Sequence, residues 1–244
     1  MALGVNTNVG AMVALQNLSK TNRDLEVTQG RINTGLAVAG AKDNGGIYAI
    51  AQAMRSDVAS LGAVGQSLGR AKSVVDVALA AGESISDLLV QMKEKAVAAA
   101  DASTDTTARA ALNEDFVALR KQISSIVSNA AFNGVNLINT ATGFQSLASA
   151  DGSSKISVNA ENLSLGGSII TIAATGQVNT QSAASTMLGT VNTSLTNANR
   201  ALARLGSISK RLDTQMEFNN KVSDALKAGI GNLYEQFLRR KEEL

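Results

Sequence analysis

Acid–base and nucleophilic chemistry near neutral pH relies mainly on imidazole, thiolate and paired carboxylates, and this chain of 244 residues has no His and no Cys. Zinc sites built on those ligands, disulfides and every imidazole-dependent triad are thereby removed. Carboxylates remain. Glu114 beside Asp115, and Asp101 four residues before Asp105, have spacings at which two acids could share general acid–base work. With 20 Asp plus Glu along the chain and no cluster around either pair, both read as solvated helix-surface positions. The pieces Gly35-Leu36-Ala37-Val38-Ala39-Gly40 and Asn44-Gly45-Gly46 lack the Gly-Lys-Ser/Thr ending of a phosphate loop, so they read as turns or hinges. Arg200, Arg204, Lys210 and Arg211 are offset by Asp213 and Glu217, and Arg239, Arg240 and Lys241 by Glu242 and Glu243. A net charge of +2 and 3% aromatic residues argue against nucleic acid as a partner. The expectation is a chain with no catalytic residues, no metal site and no cofactor.

The elements carry more information than the reactive groups. Leu61, Leu68, Val75, Leu89 and Ala96 repeat every seven residues with Gly82 in one slot, and Val64, Ala71, Ala78, Ile85, Met92 and Ala99 follow three behind. Leu112, Phe116, Leu119, Ile123, Ile126 and Ala130 alternate spacings of four and three. In the last stretch Leu188, Leu195, Leu202, Met216, Ile230 and Phe237 share one track, with Ser209 and Ser223 interposed, and Val191, Ala198, Leu205, Leu212, Leu226 and Leu233 the other. An apolar period of 3.5 residues winds helices into a left-handed coiled coil. The absence of Pro suits long helices, because an interior Pro costs about 3 kcal/mol.

This pattern predicts a mainly α fold: an elongated antiparallel helical bundle or coiled-coil rod with a small β-hairpin region. Helices are expected over about 56–102, 107–129 and from 182 onward. The Ser-, Thr- and Gly-rich stretch 139–181, with β-branched residues and an Asp151-Gly152 turn, predicts the hairpin. The rod core is expected from Leu61, Leu68, Val75, Ile85, Leu89, Met92, Leu112, Phe116, Leu119, Ile123, Leu195, Leu202, Leu205 and Leu212.

Residues 1 to about 35 form an amphipathic segment whose stripe of Met12, Leu15, Leu18, Leu25 and Ile32 is too weak to hold a lone helix and needs a partner. This start lacks the cationic region, apolar core and cleavage site of a secretory signal, and Asn6, Asn8, Gln16 and Asn17 break any membrane-spanning run. Neither a cleaved signal peptide nor membrane insertion is expected. The division expected is 1–40 as an N-terminal helix segment, 41–232 as the rod and 233–244 as a C-terminal helical tail.

Residues 31–54, RINTGLAVAGAKDNGGIYAIAQAM, resemble the flagellin signature, in which a Gly hinge leads to an Ala-Lys-Asp turn and a small-residue helix start. The opening residues 1–25 are similar to that family's export and assembly segment, and Asn129 to Val135 match its Phe-Asn-Gly turn. The likeness covers about residues 1–233 and is nearest to short alphaproteobacterial-type flagellins. It implies a structural subunit of the extracellular flagellar filament, exported and polymerised for swimming motility. Partners implied are other flagellin subunits, the flagellar export apparatus, a flagellin chaperone, and the filament cap and hook-junction proteins. By position, Met12, Leu15, Leu18, Leu25 and Ile32 become the inner-tube seam, Gly35, Ala41, Lys42 and Asp43 the tube–rod joint, and Phe132, Asn133 and Gly134 a rod turn. Tyr234 to Leu244 resemble nothing in the family. The second reading is a hook–filament junction adaptor or another helical interaction protein.

Overall fold

The computed structural model describes residues 8–239, with side chains described to Leu233. It is mainly α: helices α1 (Val9–Thr34), α2 (Gly45–Ala100), α3 (Thr106–Asn129) and α4 (Gln181–Arg239), with strands β1 (Phe144–Leu147) and β2 (Lys155–Val158) between α3 and α4. The chain divides into two compact units, one of the residues up to Ser60 with those from Lys221 onward, the other Leu61–Asn220.

In the larger unit the heptads do what their period requires. The bond from Lys72 Nζ to Asp213 at 3.0 Å and that between Ser86 and Asn199 at 3.1 Å place α2 and α4 antiparallel. Gly82 fills its apolar slot for a reason: a Cβ there would lie 2.6 Å from Leu202 Cδ2, so the leucine packs where a side chain is missing. Lys95 to Asp115 at 2.8 Å sets α3 antiparallel to the end of α2. Leu61, Leu68, Val75, Ile85, Leu89, Met92, Phe116, Ile123, Leu205 and Leu212 are buried, and Leu112, Leu119 and Leu195 pack half-buried against them. Leu202 is also half-buried. Alanines 71, 78, 96, 99, 198 and 201 make the core narrow.

The α2–α3 corner is held by side chains that satisfy helix ends. Arg109 donates to the carbonyls of Ala99, Asp101 and Thr104, and Asp105 caps α3 by accepting from Ala108 N at 2.7 Å. After α3, Phe132 and Val135 exchange both backbone hydrogen bonds at 3.0 Å around Asn133 (φ 48°) and Gly134 (φ 78°). Positive φ at both central positions is the type I′ hairpin turn, which Asn-Gly suits best. Strands β1 and β2 pair antiparallel with Phe144 opposite Val158 and Leu147 opposite Lys155, and Gly152 turns the tip at φ 72°.

Two expectations shift. Helix α2 starts at Gly45, about eleven residues before the expected point, because Asn44 caps it by accepting from Ile47 N at 3.1 Å. Within 139–181 the strands are short, and Ile170 and Ile172 lie buried in a loop instead. That loop is held by Ser194, whose Oγ accepts from Thr171 N at 3.0 Å.

Candidate self-assembly site

Three of the four acids singled out for chemistry have a structural occupation. Asp101 accepts from Ser103 N at 2.9 Å, which holds its carboxyl below the usual range, Asp105 is a cap, and Asp115 pairs with Lys95, whose amine that bond raises. Glu114 is exposed. Among the described residues no group of three His, Cys, Asp or Glu stands close enough to hold a metal ion, and no helix is long and apolar enough to cross a membrane. Arg204 makes a two-pronged pair with Glu161, Nε and Nη2 each 2.6 Å from a carboxylate oxygen, which raises its already high pKa further. Lys210 and Arg211 line a shallow surface groove with Ile156.

What is left over is apolar and lies on α1. Asn8 starts the helix by accepting from Ala11 N at 3.2 Å, and Gly35 ends it in the left-handed region at φ 68°, its N–H donating to Arg31 O. The threonines along it are satisfied locally: Thr21, Thr28 and Thr34 each donate to the carbonyl four residues back. No residue of this helix is buried. Met12, Leu15, Leu18, Leu25 and Ile32 are 55–74% exposed.

Val9, Val13 and Val27 are exposed as well, a set the seven-residue reading missed. At roughly 100° per residue, Val9 and Val27 fall on one line five turns apart, across the helix from Leu18. The signal was present in the sequence as an 18-residue spacing. A helix apolar on two sides requires partners on two sides.

The joint residues come together only in part. Asp43 Oδ2 accepts from Ala39 N at 2.9 Å and Gly40 N at 3.0 Å, while its own N–H donates to Gly40 O at 3.1 Å, so this carboxylate folds the turn. Ala41 and Lys42 ride on the turn, exposed. Beneath it Val38 and Ala51 are buried in a small cluster with Leu36, Ile47, Tyr48, Ile230 and Leu233. Asp43, Glu26, Arg31 and Thr34 also line a cleft of about 310 Å3. The rod-turn residues form the I′ turn described above, and Phe132 is 38% exposed.

The fold and this surface define a class: a mainly helical protein whose first helix carries an exposed apolar face. Residues 5–143 match the family described as the bacterial flagellin N-terminal helical region. Flagellin FljM of Caulobacter vibrioides is 48% identical over 243 residues, covering 99% of this chain and 88% of the relative. The flagellin of Brucella melitensis biotype 1 is 31% identical over 245 residues, covering 96% and 86%. The crystal structure of Bacillus cereus flagellin superposes with a TM-score of 0.55 at 25% identity, covering 62% of this chain and 86% of that one. The chain belongs to the flagellin family, and it is a structural subunit of the extracellular flagellar filament that assembles with other flagellin subunits. The Caulobacter alignment takes in nearly the whole chain, so it runs into the segment beyond Leu233 that the sequence reading set apart.

Proposed function

We propose that α1 is the polymerisation element of this flagellin. Met12, Leu15, Leu18, Leu25 and Ile32 form its inner-tube seam, Val9, Val13 and Val27 meet a second neighbour, and Gly35, Ala41, Lys42 and Asp43 set the angle between tube and rod. In this reading residues 1–40 are the tube segment, 41–232 the rod and 233–244 a C-terminal tail, of which 240–244, like residues 1–7, lie outside the described residues. The observation that carries it is a 26-residue helix with eight large apolar side chains exposed and no residue buried. Full burial of such a side chain stabilises by about 1.5–3 kcal/mol, so even half that gain leaves on the order of 10 kcal/mol per subunit for assembly before ordering costs.

Further partners follow from the same reading. Delivery to the growing end uses the flagellar export apparatus and a chaperone that covers the apolar helix beforehand, and the assembled chain meets cap and hook-junction proteins at the filament ends. The test is production in a flagellated host of the parent chain and a Leu18→Glu/Leu25→Glu variant, followed by shearing and electron microscopy with immunodetection. The parent is expected in the filament fraction, and the variant in the medium as soluble protein with an unchanged far-ultraviolet melt. Incorporation of the variant as efficiently as the parent would overturn the proposal.

A further inference from the structure

Continuing the second track of α4 through Val191, Ala198, Leu205 and Leu212 places Asn219 in the apolar seam, seven residues before Leu226. It is the polar member of a track otherwise Val, Ala and Leu. The structure buries it to 4% exposure and aims it at α2, where Nδ2 donates to Leu61 O at 3.0 Å. Its Oδ1 is buried without a hydrogen-bond partner. Gly65, one turn beyond Leu61, leaves room: a Cβ there would just touch Nδ2 at 3.4 Å, and any longer side chain would displace the amide.

We propose that Asn219 sets the register of α4 against α2. A strict seven-residue repeat has a weakness, because a slip of seven residues puts apolar track back on apolar track. With alanine at so many seam positions, packing away from the notch where Leu202 sits over Gly82 distinguishes the two registers poorly. A buried amide distinguishes them well. Seven residues to either side of Gly65 the chain has Val58 and Lys72, and either side chain would occupy the space that Asn219 needs. In a slipped pairing the amide loses its carbonyl and stays buried, which makes that pairing costly. One polar residue in an apolar seam is a known way to trade stability for a unique alignment. Aligned α2 and α4 also hold the rim contacts, Lys72 with Asp213 and Ser86 with Asn199, at their observed levels.

The proposal concerns the fold of the single chain and stands apart from the role of α1. Its test uses the full chain, which has no cysteine, with spin labels on cysteines at the exposed positions Glu83 and Ala203, one on each helix. Double electron–electron resonance on the unassembled chain is expected to give one distance for the parent. Asn219→Leu is expected to give that distance and a second, longer one, because a slip of seven residues at about 1.5 Å each moves the facing labels about 10 Å apart along the helix axes, with no loss of thermal midpoint. Asn219→Ala, which introduces no bulk, should show the same second population and serves should the leucine variant not fold. A single, parent-like distance in the alanine variant would overturn the proposal, as would a leucine variant that loses stability while keeping one distance.

Discussion

Phe116 offers the sharpest check on how the larger unit is held together. It is fully buried in α3, and the Lys95–Asp115 pair puts it at the level of Met92 and Ala96 on α2. Removing the ring in Phe116→Ala forfeits about 2–3 kcal/mol of transfer free energy at roughly 25 cal/mol per Å2. The void left in a close-packed interior raises the total to about 3–5 kcal/mol. Met92 has rotatable bonds with which to lean into the space, whereas Ala96 has none, so the lower half of that range is expected. For a unit of this size a loss of about 3–4 kcal/mol corresponds to about 6–16 °C in Tm. Urea titration followed by circular dichroism at 222 nm reads it as a lower midpoint at unchanged slope. Phe218, 58% exposed on α4, is the internal control: Phe218→Ala should stay within about 0.5 kcal/mol. A loss below about 1 kcal/mol at Phe116, or equal losses at the two sites, would refute the assignment of Phe116 to a close-packed core.

Gly143→Ala is expected to destabilise the hairpin by at least about 1–3 kcal/mol, because its Cβ would stand 1.9 Å from Val158 O, a backbone atom that cannot swing aside; loss of the β1–β2 amide protection in hydrogen exchange checks this. Arg204→Ala leaves the buried Glu161 carboxylate without its partner and should cost about 1–3 kcal/mol, discounted toward the lower end because the guanidinium is half exposed; a titration indistinguishable from the parent would show the pair to be idle. At the hairpin tip, hydrogen bonds from Ser149 and Ser153 hold the Asp151 carboxyl down at about 2. A carboxylate pKa depressed in the folded chain stabilises the tip above the ordinary value and loses that contribution as pH falls toward about 2. The Ser153 amide resonance should therefore hold steady down to about pH 3 and shift with a midpoint near pH 2, and a midpoint at the ordinary Asp value would contradict the geometry.

Much of this protein was legible along the chain. Seven-residue spacing announced the helices and most of their buried residues, since an apolar stripe at that period can be satisfied only by another helix. The turn at Asn133-Gly134 was legible through the family resemblance, while Gly35 announced the end of α1, because positive φ is a property of single residues. The exposed stripe on α1 was legible for the same local reason. Tertiary structure decided what depends on residues far apart in sequence. Glu161 meets Arg204 across 43 positions, and Ile170 and Ile172 are buried in a loop although their side chains favour strands. Asn44 moved the start of α2 because one cap hydrogen bond outweighed the cost of two glycines in the first turn. The pairing level of α2 and α4 was likewise undetermined by a repeat that matches itself every seven residues. Only the folded chain, with Asn219 against Leu61 and Leu202 over Gly82, breaks that degeneracy, because a buried amide and a missing Cβ each fit at one level and not at the next.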